Sequence, residues 1–436
     1  MADPYGTWSS PVTPASLVEG VRTLDGVAVT GSTVWWTQGD PADAGRVSLW
    51  RRDGDAPARE VTPDHYVRTS VHEYGGGAWA VADSADGPVV VHSSWPDHRL
   101  WVGVGDAEPR PITPEDSPHR YADLRVHPDR DLLLAVREDH TDPDAQPRNT
   151  LVALRLSGDN ADGGTVLRSG PDFCASPELS ASGLLAWVEW DHPAMPWDRT
   201  RLCVAPLADD AAALGPVRVV VDRADTSVQF PAWADPTTLV LASDAPGWWQ
   251  LHAVRVPTDP AAAVPEPEPL WTGEHDVCSP MWGLGMKPYV VTERGVLAAW
   301  YVDGRQRLGL VAVDGGGPTV LRQSIDAVSA IAVDGGQVAM VVGHADAPSE
   351  VVRWQLDAPQ QWTRVAASSQ QEPDPAWTSV PESVWWDSDL GPVQGWYYPP
   401  TNPDVTPPED ERPPMIIKSH GGPTSMSRPL YLAAVQ

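Results

Sequence analysis

Short apolar segments recur along most of the chain, and each is followed by a polar or Gly/Pro-marked break and then by a second, alternating segment. Alternation of apolar and polar residues between turn residues is typical of antiparallel hairpins. The pattern predicts seven hairpins, which pair residues 34–36 with 47–50, 89–91 with 100–102, 132–136 with 150–154, 184–188 with 201–204, 238–241 with 250–254, 296–301 with 307–311, and 338–342 with 350–354.

A short outer strand is predicted after each hairpin. These outer strands fall at residues 59–63, 110–114, 165–167, 217–221, 269–271, 319–321 and 363–365. The units recur at roughly 40–60 residues, a spacing typical of the four-stranded blades of a β-propeller. Such units bury their faces against one another, so they are not separate domains. We predict an all-β, seven-bladed β-propeller, with six or eight blades, a pair of β-sandwiches or a solenoid as alternatives.

The pattern divides the chain into three regions. Residues 1–24 form an N-terminal extension, and the propeller occupies residues 25–369. Residues 370–436 begin with a polar linker and continue with a predicted hairpin that pairs residues 384–386 with 393–398. A proline- and acid-rich loop follows this hairpin at residues 399–414.

The final region carries the sequence Met415-Ile416-Ile417-Lys418-Ser419-His420-Gly421-Gly422-Pro423-Thr424. Its apolar start predicts a buried strand that ends at a Gly-Gly-Pro turn. In α/β-hydrolases, a loop of the HGG type after an early strand directs backbone N–H groups at a developing oxyanion. Glycine suits this role because no Cβ blocks the substrate. A plain turn after a strand is the alternative.

A complete hydrolase domain also needs a nucleophile elbow, an acid and a histidine. No Gly-x-Ser-x-Gly motif occurs anywhere in the sequence. We therefore expect residues 370–436 to be the truncated start of an α/β-hydrolase domain.

Composition and charge exclude several other classes of function. Apolar residues make up 42% of the chain and include 22 Trp, enough for a substantial core. A net charge of −29 repels nucleic acids and anionic membranes. The isolated Cys174, Cys203 and Cys278 indicate neither a disulfide framework nor a zinc site. Without a visible signal peptide or a membrane-length apolar run, a cytoplasmic location is expected.

Several motifs together resemble the prolyl oligopeptidase family of serine peptidases, in particular its acylaminoacyl-peptidase and dipeptidyl-aminopeptidase-like branch. The motifs are His72-Glu73-Tyr74-Gly75-Gly76-Gly77, Glu189-Trp190-Asp191-His192-Pro193 with Met195-Pro196-Trp197-Asp198, Gly247-Trp248-Trp249-Gln250-Leu251, Gly395-Trp396-Tyr397-Tyr398-Pro399-Pro400 and His420-Gly421-Gly422-Pro423-Thr424. They span residues 72–424. Together they are specific for the family, whereas any one of them alone is a weak signal.

The resemblance implies a cytosolic peptidase whose propeller caps the active site and admits only short or unfolded peptides. His420, Gly421 and Gly422 match the family's oxyanion segment, with the Gly422 N–H as the preferred donor. The catalytic Ser, Asp and His would lie beyond Gln436, so the 436 residues alone are expected to be inactive. The resemblance implies no metal or organic cofactor, and a short peptide is the expected partner.

Two clusters within the propeller are candidate sites. His72 and Glu73 are predicted to face the channel, where a carboxylate would hold the α-ammonium of a peptide; the alternative is that the glycines at 75–77 let a strand pass close to its neighbours. Asp191, His192 and Asp198 suggest a relay or a metal site, against a purely structural role in a blade loop.

Two other functions stay open on the sequence. One is a non-catalytic propeller that binds proteins on its faces, with residues 370–436 as a tail. The other is an enzyme with its site in the propeller channel, as in lactonase-like propellers. No spacing of carboxylates in the sequence is typical of the metal site that such chemistry usually needs.

Overall fold

The computed structural model describes residues 3–436, which form seven antiparallel sheets arranged in a ring, a seven-bladed β-propeller. Blade 1 contains β1 (Thr23–Thr30), β2 (Thr33–Asp40), β3 (Arg46–Asp53) and β4 (Arg59–Glu60). Blade 2 contains β5 (Tyr66–Val67), β6 (Trp79–Ala82), β7 (Val89–Trp95), β8 (Leu100–Val104) and β9 (Arg110–Pro111). Blade 3 contains β10 (His119–His127), β11 (Leu132–Asp139), β12 (Arg148–Arg155) and β13 (Thr165–Arg168).

The other four blades follow in chain order. Blade 4 contains β14 (Phe173–Leu179), β15 (Leu184–Trp190), β16 (Arg201–Pro206) and β17 (Arg218–Asp222). Blade 5 contains β18 (Val228–Trp233), β19 (Thr238–Ser243), β20 (Gln250–Arg255) and β21 (Glu268–Pro269). Blade 6 contains β22 (Tyr289–Thr292), β23 (Gly295–Val302), β24 (Arg305–Val311) and β25 (Pro318–Ile325). Blade 7 contains β26 (Ala327–Asp334), β27 (Gln337–Gly343), β28 (Glu350–Gln355) and β29 (Thr363–Ala367).

The seven predicted hairpins are confirmed as the second and third strands of the blades, and each predicted outer strand overlaps an observed one. Three 3₁₀ helices, at Pro41–Asp43, Pro128–Arg130 and Pro375–Trp377, are the helices of the described residues. None of them has the length and apolar character needed to span a membrane.

Second strands supply most of the core because they are covered on both faces by neighbouring blades. In β11 and β15 almost every residue is buried, and Trp187 has no exposed surface. Burying a large apolar side chain contributes about 1.5–3 kcal/mol, so this layer of strands dominates the stability of the ring.

The ring closes by packing, without any exchange of strands. All four strands of blade 1 come from the start of the chain and all four of blade 7 come from residues 327–367. Val27 and Trp36 of blade 1 pack against Ala339 and Val341 of blade 7. A few polar contacts add to this seam, among them the Gly31 N–H donating to Asp334 Oδ2 at 2.7 Å.

After the propeller, β30 (Glu382–Ser388) and β31 (Gly391–Tyr397) form the predicted hairpin, but every residue of β30 is exposed. The N-terminal residues lie against this region: the Asp3 N–H donates to Thr406 O at 3.1 Å, and the Asn402 side-chain amide donates to Ser9 O at 3.1 Å.

The predicted buried strand at residues 415–417 is wrong for this structure. Met415, Ile416 and Ile417 form no strand, and their exposed fractions are 76%, 93% and 81%. A strand forms only where another strand supplies hydrogen-bond partners, and none of the described residues pairs with this segment.

Candidate functional site

One face of the propeller carries the turns between the second and third strands of each blade, and we call it the front face. The C-terminal region packs on it. The side chain of Trp396 lies against the turn at Gly304, and the Tyr431 N–H donates to His344 O at 2.7 Å, in the loop between β27 and β28.

The inner strand of blade 2 is interrupted. Both β5 and β6 pair with β7, and residues 68–78 between them leave the sheet and carry the His72-Glu73 motif. His72 and Glu73 both adopt left-handed backbone conformations, with φ of 54° and 65°. Bonds inside the segment hold this shape, such as the Gly75 N–H donating to Val71 O at 2.9 Å. Backbone strain of this kind is uncommon outside glycine and is kept where the surroundings fix it.

His72 points into the wall between blades 3 and 4. Its backbone N–H donates to Glu138 Oε1 at 2.7 Å, and its ring stacks edge-on against Phe173 and Trp190. Its Nε2 lies 3.1 Å from Asn149 Oδ1. Burial lowers the pKa of His72, an effect that Glu138 only partly offsets. His72 is thus a neutral imidazole that donates to Asn149, and its role is to position the segment.

Glu73 differs from His72 because its carboxylate is exposed. Among the described residues it has no hydrogen-bond or ion-pair partner. Its neighbour Tyr74 is 69% exposed and meets the ring of Trp282 edge-on, with 5.6 Å between ring centroids. The strained segment therefore presents an exposed carboxylate at Glu73, directly before a tyrosine that packs on Trp282.

The glycines of the same motif allow a close backbone crossing. Gly76 forms a parallel bridge with Leu284, and the Leu284 N–H donates to Gly75 O at 2.8 Å. A Cβ on Gly76 would stand 2.2 Å from Leu284 O, which no side chain can accept. The interpretation that these glycines let the chain pass close to its neighbours is supported.

The segment His420–Thr424 lies on the front face near this crossing. Trp282 Nε1 donates to Thr424 O at 2.9 Å, and the Trp282 ring also packs at a tilt against Trp197 of blade 4, with 4.3 Å between ring centroids. A Cβ placed on Gly421 or Gly422 would meet nothing within 4 Å, so the space around these backbone groups is open. His420 is exposed, and its Nδ1 lies 2.6 Å from Gly421 O. Trp282 thus joins two motifs that are far apart in sequence.

The acidic cluster in blade 4 has a structural role. Asp191 accepts the Asp172 N–H at 3.0 Å and pairs with Arg201 at 2.7 Å. His192 pairs with Asp172, and Asp198 accepts the Met195 N–H at 2.9 Å. No group of three or more potential metal ligands occurs among the residues that the structure describes.

Sequence reasoning missed Trp282 and Asn149. Trp282 lies in the irregular connection between β21 and β22, and its bond to Thr424 joins residues 142 positions apart. Only the position of Trp282 between Met281 and Gly283 in a glycine-rich turn marks it, and that is a weak signal.

Two solved structures of puromycin-hydrolysing proteins match nearly the whole chain. A Mycobacterium tuberculosis puromycin-hydrolyzing peptidase is 31% identical with a TM-score of 0.86, over 95% of this chain and 64% of that protein. A puromycin hydrolase is 29% identical with a TM-score of 0.90, over 100% of this chain and 67% of that protein. The chain therefore spans about two thirds of the length of these relatives.

Prolyl oligopeptidase B from Galerina marginata is 14% identical with a TM-score of 0.61, over 87% of this chain and 55% of that protein, and shares the fold. No protein-family profile and no curated protein sequence matches the chain. The likeness to the puromycin hydrolase covers the whole chain, and therefore both the propeller and the segment after it. The chain belongs to the prolyl oligopeptidase family.

Proposed function

We propose that this chain is the propeller portion of a serine peptidase that hydrolyses short peptides and aminoacyl amides with a free α-amino group. Residues 25–369 would form the cap, and residues 370–436 the linker and first strands of an α/β-hydrolase domain. One observation carries the proposal: Trp282 contacts Tyr74, the residue after Glu73, and also donates to Thr424 O, so the segment that carries Glu73 and the His420–Thr424 segment share one aromatic anchor.

The glycine segment suits the oxyanion role. The Gly422 N–H is the proposed donor, since the open space around Gly421 and Gly422 leaves room for a substrate carbonyl. The following residue, Pro423, has no N–H to compete. Removal of one oxyanion donor typically lowers turnover about 10²–10³-fold. The attacking Ser, its His base and the orienting Asp are proposed to lie outside these 436 residues, which by themselves are proposed to be inactive.

Glu73 is the proposed acceptor for the substrate's α-ammonium. Its carboxylate is exposed and is held out by a strained backbone, whereas His72 beside it is occupied with Asn149. Hydrogen bonds that involve a charged group contribute about 1.5–3 kcal/mol, so their loss weakens binding about 10–100-fold. The two puromycin-hydrolysing relatives act on a compound with a free α-amino group, which fits such a contact.

The test uses the full-length enzyme with puromycin, a dipeptide arylamide and its N-acetylated form. Glu73→Gln should raise KM about 10–100-fold for the two free-amine substrates and change the acetylated one less than about twofold. Glu268→Gln, at an exposed carboxylate in the outer strand of blade 5, is the matched control and should behave as wild type.

Two outcomes would count against the proposal. If the full-length protein hydrolysed none of these substrates, the proposed peptidase activity would be refuted, and a propeller that binds proteins would be favoured. If Glu73→Gln changed KM equally for the free-amine and the acetylated substrates, the proposed contact with the α-ammonium would be refuted, but the proposed peptidase activity would not.

A further inference from the structure

The central channel contains a pocket of about 250 Å³, which we call the channel pocket. Its walls come from the inner strands of blades 3 to 6 and from the connection that leads into blade 6. The inner strands reach the pocket near their last residues, so it lies toward the rear face, opposite to the front face. We propose that the channel pocket binds a free α-amino acid with an apolar side chain.

Lys287 is an uncompensated cation in the channel pocket. Its ammonium has no hydrogen-bond or ion-pair partner among residues 3–436, and its side chain is exposed within the pocket. The neighbouring Arg125 guanidinium, together with burial, lowers the pKa of Lys287. Two neighbouring cations repel each other, and an anion bound beside both relieves that repulsion. The pocket therefore favours a ligand that carries a negative group.

Arg125 and Ser176 supply further hydrogen-bond donors. Arg125 uses its Nε on Glu178 and its Nη1 on Asp123, so that its Nη2 has no partner among the described residues. Ser176 is 5% exposed, and its N–H donates to Asp123 Oδ2 at 2.5 Å, but its hydroxyl has no partner in the same part of the chain. With the Lys287 ammonium, these free donors suit a carboxylate.

Glu178 supplies the opposite charge. Its Oε1 accepts from Arg125 Nε at 2.6 Å, whereas its Oε2 accepts from none of the described residues. The Glu178 side chain is 27% exposed and lines the channel pocket. A ligand with both a carboxylate and an ammonium group would therefore match the charges of the pocket.

The size of the channel pocket limits the ligand to a small molecule. Pockets for drug-sized ligands have volumes of roughly 300–1,000 Å³, and this one is smaller. In a free amino acid, one carbon atom joins the carboxylate and the ammonium group, whereas in a peptide the two groups are at opposite ends. A single amino acid therefore fits both the volume and the charges.

Phe230, Trp233 and Met286 give the channel pocket an apolar wall. Phe230 is 5% exposed, and Trp233 is held in place by its Nε1, which donates to Glu178 O at 2.9 Å. Apolar walls with a few polar groups are typical of sites for small molecules. An apolar side chain such as that of leucine would cover this wall, whereas glycine would leave it in contact with water.

The site is tested by calorimetric titration of the full-length protein with L-leucine, for which we expect a Kd below about 1 mM. Lys287→Met should weaken binding about 10–100-fold because it removes a charged donor. Thermal unfolding without ligand verifies that this variant is folded. Glu73→Gln, which changes the front face, is the control and should bind leucine within about twofold of wild type.

A series of ligands tests the same site in the unaltered protein. Leucinamide lacks the carboxylate, N-acetyl-leucine lacks the ammonium group, and glycine lacks the apolar side chain. Each should bind about tenfold or more weakly than leucine. Because this series needs no variant, its result does not depend on the folding of Lys287→Met.

Three outcomes would overturn the site. They are no binding of leucine to the wild-type protein at about 10 mM, equal binding of leucine by wild type and folded Lys287→Met, and equal binding of leucine and leucinamide by wild type. Binding that is lost in Glu73→Gln but kept in Lys287→Met would place the amino acid on the front face instead. Hydrolysis is not measured, so a failure of the proposed peptidase activity would leave this result unchanged.

Discussion

The tripeptide Val-Trp-Trp occurs twice in this chain, in opposite environments. In β2, Val34, Trp35 and Trp36 are 0%, 0% and 1% exposed, whereas in β30 Val384, Trp385 and Trp386 are 36%, 58% and 51% exposed. Both copies lie in strands that pair in register with the strand that follows them. Local sequence thus determines the strand in both places, but it does not determine burial.

Neighbouring blades make the difference. Trp35 packs against Val67 and Val90 of blade 2, while Trp36 on the opposite side of the strand packs against Ala339 and Val341 of blade 7. The strand β30 has β31 beside it and no covering layer among the described residues. A two-stranded hairpin of this kind is marginally stable by itself. The propeller is complete within these residues, and the hairpin presents a surface that suits a further sheet.

The largest effect is expected at the tryptophans themselves. Trp36→Ala removes a fully buried side chain and leaves a cavity, and it should lower the free energy of unfolding of the propeller by about 3–5 kcal/mol. Trp386→Ala should cost less than about 1 kcal/mol, since its half-exposed ring contacts only the neighbouring strand, at Val393 and Gly395. Urea unfolding followed by circular dichroism measures both. If both variants lost a similar amount of unfolding free energy, the proposed difference in packing between the ring and the hairpin would be contradicted.

A smaller effect, specific to acid pH, is expected at His92 in β7. The side chain is 1% exposed, neither ring nitrogen has a partner among the described residues, and burial together with His65 lowers its pKa to about 3. The unfolded chain binds a proton near pH 6.5, so it is favoured as the pH falls below that value. This single group should destabilise the ring by about 2 kcal/mol between pH 7 and pH 5.

His92→Leu removes that contribution. The loss of unfolding free energy between pH 7 and pH 5 should therefore shrink by about 2 kcal/mol in the variant, whatever its stability at pH 7. Urea unfolding at the two pH values gives the difference for each protein. An equal acid dependence in variant and wild type would show that His92 is protonated in the folded ring.

The smallest effect is expected where the hairpin touches the ring. Trp396 lies 5.4 Å from the Arg305 guanidinium and donates from Nε1 to Ser427 O at 3.0 Å. Trp396→Leu should weaken this contact by about 1 kcal/mol, which corresponds to about fivefold faster cleavage of residues 382–436 in limited proteolysis. Trp385→Leu, at an exposed ring in the same hairpin, should leave the rate near wild type. If the propeller were degraded at the same rate as residues 382–436, the two regions would not unfold independently of each other.

The sequence predicted the second, third and fourth strands of the blades but not the first. Inner strands β1, β10, β14, β18 and β26 each contain a register shift, and the shifted positions include Asp123, Ser176 and Phe230 with positive φ. A bulge inserts one residue and breaks the alternation of period two on which the prediction depends. Prolines after Ser176 and Phe230 obscure the pattern further.

For the candidate site, motifs identified the segments but not their contacts. The free carboxylate of Glu73 and the open backbone at Gly422 lie in segments that short sequence patterns marked. Trp282, which joins them, could not be found this way, because its partners Tyr74, Trp197 and Thr424 come from three distant parts of the chain. The same holds for Gly76 and Leu284, whose bridge depends on the closed ring.

The closure of the ring without strand exchange has a consequence during synthesis. Blade 1 can form all its strand pairs as soon as it emerges from the ribosome. The apolar side of β2 around Trp36, however, stays uncovered until blade 7, the last blade in chain order, has been synthesised. At about 5–20 residues per second, that delay is on the order of 15–60 s. The first blade is therefore the one that exposes apolar surface to aggregation and to chaperones for the longest time. This exposure ends when the last blade covers that surface.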